Sequence, residues 1–269
     1  MKLLQASSAA LVGMALCSAL YAYQRTADFG FGDDAETNVK AEFYWSRLAY
    51  SSRLSYASNP QSSGGFGRRG FNSWSRDYPK ADRQFLIAMH RLTRIDGRPT
   101  EQVVRLDSDD IFNYPWIYAV QVQNWAFTDT EANRLREYLL KGGFLMVDDF
   151  HGTEDWGNFM NGMRQVLPDR PVEDLQSGDE IFHTLYDIDD KVQIPGEQFV
   201  WTGRTYEKDG YQPKWRAIRD DKGRIVVAIC HNMHLGDAWE WANTPDYPEK
   251  FSGLAFRVVL NYITYSMTH

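Results

Sequence analysis

At 269 residues the chain suits one large α/β domain, and 43% apolar content with 15 Tyr, 15 Phe and 9 Trp supplies a sizeable core, which excludes global disorder. The formal net charge of −7 argues against a nucleic-acid protein. The charge is uneven: residues 40 to 105 carry 12 Lys or Arg against 5 Asp or Glu, and residues 106 to 190 carry 5 against 18, which can orient a partner or an acidic ligand, or match two faces of one fold.

Residues 1 to 22 read as an export signal. Lys2 gives the positive end, Ala9-Ala10-Leu11-Val12-Gly13-Met14-Ala15-Leu16 the apolar stretch, and Ala19 or Ala22 a small residue for cleavage. The expected location is periplasmic or secreted. An uncleaved membrane anchor is the rival, but the apolar run is shorter than the roughly 20 residues that a spanning helix needs. Bulky Leu16 before Cys17 disfavours a lipoprotein. Cys17 leaves with the signal, so Cys230 stands alone and no internal disulfide forms. Its neighbours Val226-Val227-Ala228-Ile229 predict a buried, inert thiol.

Residues 23 to 41 read as a flexible leader, and 42 to 269 as a single domain. Glu42 to Tyr50 has strand character. Residues 57 to 76, rich in Ser, Gly and Arg, predict a long loop. It holds Gly65-Phe66-Gly67-Arg68-Arg69-Gly70, a formal G-x-G-x-x-G without the strand before it and the helix after it that a dinucleotide site requires. A helix follows over 80 to 93, with Phe85, Ala88, Met89 and Leu92 on one face. Strands are expected at 103 to 106 and 116 to 121. Thr128 with Glu131 forms a capping box for a helix that stops at Gly142-Gly143. Phe144-Leu145-Met146-Val147 suits a central parallel strand. A helix over 156 to 167, an irregular stretch over 170 to 222, a buried strand over 225 to 230 and a closing helix over 250 to 267 complete the chain. Alternating strands and helices imply a mostly parallel sheet with helices on both faces.

In such sheets ligands bind at the carboxyl ends of strands. Asp148-Asp149-Phe150-His151 leaves the central strand, and adjacent carboxylates there suit a cation, sugar hydroxyls or a shared proton. His151 suits base, acid or ligand. A second place is His231-Asn232-Met233-His234, with His-x-x-His spacing that leaves a metal at His231 and His234 open. A third is Asp237-Ala238-Trp239-Glu240-Trp241, whose alternating acids and rings suit carbohydrate. Arg47, Trp74, Arg76 and Asp77 are candidates to close over the same edge. No G-x-S-x-G elbow and no P-loop is present.

Three stretches carry a family likeness. They are Phe43 to Tyr50 with Trp74 to Pro79, Phe112-Asn113-Tyr114-Pro115 through Gly142-Gly143 to Asp148-Asp149, and His234-Leu235-Gly236-Asp237-Ala238-Trp239-Glu240. They resemble the bacterial family known as domain of unknown function 4159, over roughly residues 42 to 266. The resemblance implies a flavodoxin-like three-layer sandwich of the class I glutamine amidotransferase-like type, close to trehalose-utilisation-type proteins. In amidotransferases the strand after the Gly-Gly turn ends in a nucleophilic cysteine, and the corresponding position here is about Asp148. Without the thiol, glutamine hydrolysis by that route is excluded.

Three readings follow. The first is an exported ligand-binding domain for a small polar molecule, carbohydrate among them, at Asp148, Asp149, His151, Asn232, Asp237 and Trp239. The second is a hydrolase, metal-assisted if His231 and His234 join the acidic pair. The third is an interaction module with a protein partner in the envelope, using the basic surface that includes Arg68 and Arg69. No cofactor is required beyond the divalent metal left open.

Overall fold

Among the described residues seven strands form one mixed sheet: β1 (Ser46–Ala49), β2 (Gln102–Arg105), β3 (Trp116–Val120), β4 (Phe144–Asp148), β5 (Glu173–Asp174), β6 (Lys214–Arg219) and β7 (Ile225–His231). Six α-helices among the described residues accompany them: α1 (Lys80–Leu92), α2 (Asp129–Leu140), α3 (Gly152–Val166), α4 (Gln198–Thr202), α5 (Leu235–Glu240) and α6 (Glu249–Thr268). The computed structural model describes residues 40–53 and 73–269. The expected signal, nearly all of the leader, and the run from Gly65 to Gly70 with Arg68 and Arg69 lie outside the described residues. Contacts divide the chain into Met1–Lys40 and Ala41–His269, and the fold is that of the second unit.

The strand order is β2-β1-β3-β4-β7-β6-β5. The first five strands run parallel, while β6 lies antiparallel to β7 and β5 antiparallel to β6. Alternation along the strands builds two cores. Trp116, Tyr118 and Val120 of β3 and Phe144 and Met146 of β4 pack with buried residues of α1, α5 and α6 on one face. Ile117, Ala119, Leu145 and Val147 pack with α2 and α3 on the other. Every residue of β3, β4 and β7 is buried, and each large apolar side chain so placed contributes about 1.5–3 kcal/mol. Cys230 is fully buried within the first core, and burial pushes its thiol well up.

The helix that turns the chain toward the site ends and begins as expected. Thr128 Oγ1 accepts from the Glu131 N–H at 3.2 Å, and Glu131 Oε2 accepts from the Thr128 N–H at 2.9 Å. After α2, Gly142 takes φ +107°. The N–H of Gly142 bonds Leu139 O and that of Gly143 bonds Tyr138 O, the paired closure of a Schellman turn. A Cβ on Gly143 would lie 2.3 Å from the Tyr138 ring. Thr128→Ala should cost about 1 kcal/mol in urea unfolding. An unchanged transition would mean that the box is not stabilising α2.

Three expectations change. The helix after β4 begins at Gly152, four residues before 156. Its first N–H groups are capped from far along the chain: Asn232 Oδ1 accepts from Gly152 at 2.8 Å and Asp209 Oδ1 from Thr153 at 3.0 Å. The irregular 170-to-222 stretch contains β5, α4 and β6. Its edge is held by ion pairs, Arg216 with Asp174 and Arg219 with Glu173, rather than by an apolar pattern. The stretch around Asp237 and Trp239 is helix α5, so the two-residue alternation read there does not place its acids and rings on one surface. Among the described residues, no helix is long and apolar enough to cross a membrane.

Candidate functional site

The strand order reverses between β1 and β3, and in sheets of this kind ligands bind at the carboxyl ends beside such a switch. Four neighbouring strands send residues to this edge. The segment after β1 brings Asp77, β3 is followed by Gln121, β4 by Asp149 and His151, and β7 by Asn232 and His234. The loops interlock: Asp149 N–H donates to Met233 O at 3.2 Å, Asn232 N–H to Phe150 O at 3.0 Å, and Gln121 N–H to Asp148 O at 3.2 Å.

Backbone strain gathers here. Asp77 (φ +61°), Gln121 (+51°), Asp149 (+55°), Lys208 (+50°) and Asn232 (+65°) are non-glycine residues in the left-handed region. Each costs on the order of 1–2 kcal/mol. All five border the same edge, where such strain commonly serves function.

The polar cluster centres on His234. Its Nε2 lies 2.8 Å from Asp77 Oδ2, and its Nδ1 lies 3.2 Å from Asp237 Oδ2 and 3.5 Å from Asp149 Oδ1. Asp149 Oδ1 is also 3.5 Å from His151 Nε2, which is 3.6 Å from Glu207 Oε1. The side chains of Asp77, Asp149, His151 and His234 are only 5–7% exposed. Asp149 Oδ2, Asp148 Oδ1 and both ring nitrogens of His151 are buried with no hydrogen-bond partner among the described residues. A buried polar atom left so costs about 1–3 kcal/mol. Two sets of side chains bring ligand atoms within 4.8 Å of one another, Asp149 with His151 and His234, and Asp77 with His234 and Asp237.

Charges follow from this crowding. Burial alone would lower the His234 pKa, but Asp149, Asp237 and Asp77 hold it well above the ordinary value. Burial would raise Asp149, and His234 with His151 brings it below the usual range. Burial pushes Asp237 up to about 7, against the pull of His234. Burial likewise raises Asp148 to about 6, with His234 offsetting part and Asp149 adding to the rise.

The expected site residues divide. Asp149, His151, His234 and Asp237 converge, and Asp77 closes over them as expected. Asp148 faces inward, where Oδ2 accepts from Tyr118 Oη and from the Gly236 N–H, both at 3.0 Å. Asn232 is committed to structure: Oδ1 accepts from Gly152, and Nδ2 donates to Gln212 O at 2.7 Å. His231 points away from the cluster. Its Nε2 lies 3.1 Å from Gly152 O and its Nδ1 3.4 Å from Arg216 Nη1, and its ring packs against Phe150 and Trp156. Burial lowers its pKa to about 4. Trp239 is fully buried against Trp45, Phe85 and Tyr118, so it has no ring face for a sugar. Trp241 is half-buried beneath the Lys80 ammonium. Arg47 is a buried strand residue, and Trp74 packs beside the second core.

Sequence reasoning missed Tyr118, Gln121 and Glu207. Tyr118 and Gln121 lie in and just after a strand that read only as core. Glu207 comes from the irregular stretch, pinned beside the cluster by Lys208 on Asp155 and Asp209 on Thr153. A hollow of about 360 Å³ lies on the His231 side, bordered by Gly152, Trp156, Tyr211, Arg216, His231 and Asn232, and none of the cluster residues lines it. A larger one of about 710 Å³ lies at the opposite sheet edge, near Gly142 and Ile225. None of its lining residues has a buried side-chain atom without a partner among the described residues.

A family model described as Domain of unknown function (DUF4159) matches residues 68–267. No curated protein matches the chain.

Proposed function

The chain belongs to the DUF4159 family, and we propose that it is an exported hydrolase that activates water at the turn between β4 and α3. One observation carries this reading. Asp149 takes φ +55° between a central strand and a helix, the conformation by which a strand-to-helix elbow projects a reactive side chain. From there its carboxylate faces His151 and His234, with one oxygen unpartnered. Carboxylates and imidazoles held this way move protons to and from water and substrate.

The order β2-β1-β3-β4-β7 supports the flavodoxin-like, class I glutamine amidotransferase-like assignment, since it follows the 2-1-3-4-5 plan. In that frame the elbow residue is Asp149, one beyond the position at Asp148 where the resemblance sets the thiol. The buried Cys230 lies elsewhere, so amidotransferase chemistry stays excluded. The carbohydrate-binding reading is weaker on this geometry, because Trp239 and Asn232 are committed to packing and to backbone. The export half of the proposal rests on residues 1 to 22.

Chromogenic esters, phosphodiesters and glycosides test the proposal. We expect turnover within one class, and Asp149→Asn should lower kcat/KM by about 10²–10⁴-fold while far-ultraviolet circular dichroism stays the same. No turnover in any class, or full activity in the variant, would remove the hydrolase reading.

A further inference from the structure

We propose that Asp149, His151 and His234 bind a divalent transition-metal ion, with Asp77 as the residue that orients His234. The inference rests on the hydrolase reading only for the use of the ion. The case for the site itself is geometric and electrostatic.

The donor spacing comes first. Asp149 Oδ1 is 3.5 Å from His151 Nε2 and 3.5 Å from His234 Nδ1, and all three ligand atoms lie within 4.8 Å of one another. These separations are too long for good hydrogen bonds. An ion held tetrahedrally at ~2.1 Å from its ligands sets them ~3.4 Å apart. Two of the three sides of this triangle therefore already have the length that such an ion imposes.

The second observation is independent of spacing. Asp149 Oδ2 and both nitrogens of His151 are buried without a hydrogen-bond partner among the described residues, and their side chains are 6% and 5% exposed. Side chains do not ordinarily stay unsatisfied in this way. An ion at this point would engage both residues.

Charge points the same way. The ion pairs made by Asp77, Asp149 and Asp237 among the described residues are all with histidine. Buried carboxylates in excess over cations favour a bound positive ion. A metal would take the central place and leave the imidazoles neutral.

Asp77 supplies the outer support. Its Oδ2 lies 2.8 Å from His234 Nε2, so Nε2 carries the proton and Nδ1 is left to face Asp149 and Asp237. Metal-binding histidines are usually oriented by such a carboxylate. His231 has no part in this, because both its nitrogens are engaged elsewhere. The metal left open at His231 and His234 thus becomes a site of different composition. Glu207 Oε1, 3.6 Å from His151 Nε2 and on a side chain 36% exposed, borders the open position where water or substrate would enter.

The donor set selects the ion. Two imidazoles and one carboxylate suit Zn²⁺, Fe²⁺ or Mn²⁺. Ca²⁺ and Mg²⁺ take mainly oxygen ligands and should compete poorly.

Isothermal titration of the full chain, stripped with chelator and dialysed, tests the site with ZnCl₂ and MnCl₂. The expected result is one equivalent bound, not displaced by excess Mg²⁺ or Ca²⁺. His151→Gln should weaken binding by about 100-fold and Asp77→Asn by about 10–100-fold. His231→Gln should leave affinity unchanged. X-ray absorption at the zinc edge of the loaded wild-type protein, expected to show two imidazoles with oxygen donors, provides a readout free of any folding defect in the variants. No uptake by the wild type, uptake unaltered in His151→Gln, or an edge spectrum without imidazole would overturn the inference. Asp149-dependent turnover by metal-free protein would defeat the ion's use in hydrolysis and spare the hydrolase. Metal uptake without turnover of any substrate class would do the reverse.

Discussion

Replacing Arg47 with methionine should lower the unfolding free energy by about 3–5 kcal/mol. Arg47 lies in β1 and is fully buried. Its Nη2 pairs with Asp82 Oδ2 of α1, and its Nε donates to Asp82 Oδ1 at 3.1 Å. The Trp45 indole N–H donates to the same Oδ1 at 2.5 Å, and Arg47 Nη1 donates to Arg76 O at 3.3 Å. The guanidinium also sits 4.6 Å from the centre of the Tyr118 ring. Burial works against its charge, yet Asp82 and Tyr118 more than offset this and raise its pKa above the ordinary value. Methionine fills much of the volume but leaves Asp82 buried with the indole as its remaining side-chain donor. The penalty is chiefly that stranded carboxylate, so Arg47→Met with Asp82→Leu should recover most of it. Urea unfolding measures both proteins. A loss below about 1 kcal/mol in the single variant would mean that the pair does not bind α1 to the sheet.

Asp148→Asn should change how stability depends on pH. The Asp148 carboxyl has a pKa of about 6 in the fold, against an ordinary 3.8, because it is buried. The folded protein therefore holds this proton more tightly than the unfolded chain does. The resulting stabilisation is complete below pH 3.8 and is lost as the pH rises through about 6. By neutral pH the loss is on the order of 3 kcal/mol. Asparagine does not titrate, so the stability of the variant relative to wild type should improve by about that amount between acid and neutral pH. Groups remote from Asp148 titrate in both proteins and drop out of the difference, while His234 and Asp149, which feel its charge, do not. A difference that stays level across the range would show that Asp148 titrates as an ordinary carboxylate.

How far the residues alone foretold this molecule depends on where each signal sits. Local signals were legible. The Thr128–Glu131 box, the Gly142-Gly143 stop and the apolar run into Asp148 each act within a few residues, and each appears as read. Signals that depend on distant partners were not. Gly152 looks like a poor helix start until Asn232 and Asp209 are seen to cap it. β5 is two exposed acids that pair only because β6 presents arginines.

The site shows the same division. Two acids at the end of a buried strand mark the location, but not which one is presented. Asp148 and Asp149 are chemically alike, and only the left-handed backbone at Asp149 turns it toward His151 and His234. Likewise His231 and His234 are equivalent as a spacing. β7 ends at His231, whose ring packs on Trp156 and Phe150, while His234 stands just before α5 and reaches Asp77, far away along the chain. Trp239 read as a sugar platform because rings alternate with acids there, and the helical turn of α5 buries it.

Asp149, His151 and His234 converge in the metal site proposed above. Anomalous diffraction at the zinc edge, from crystals grown without chelator in the presence of Zn²⁺, tests it most directly. One dominant peak is expected about 2.0–2.2 Å from Asp149 Oδ1, His151 Nε2 and His234 Nδ1. Well-ordered side chains with no peak between them, or a dominant peak at His231 instead, would contradict it.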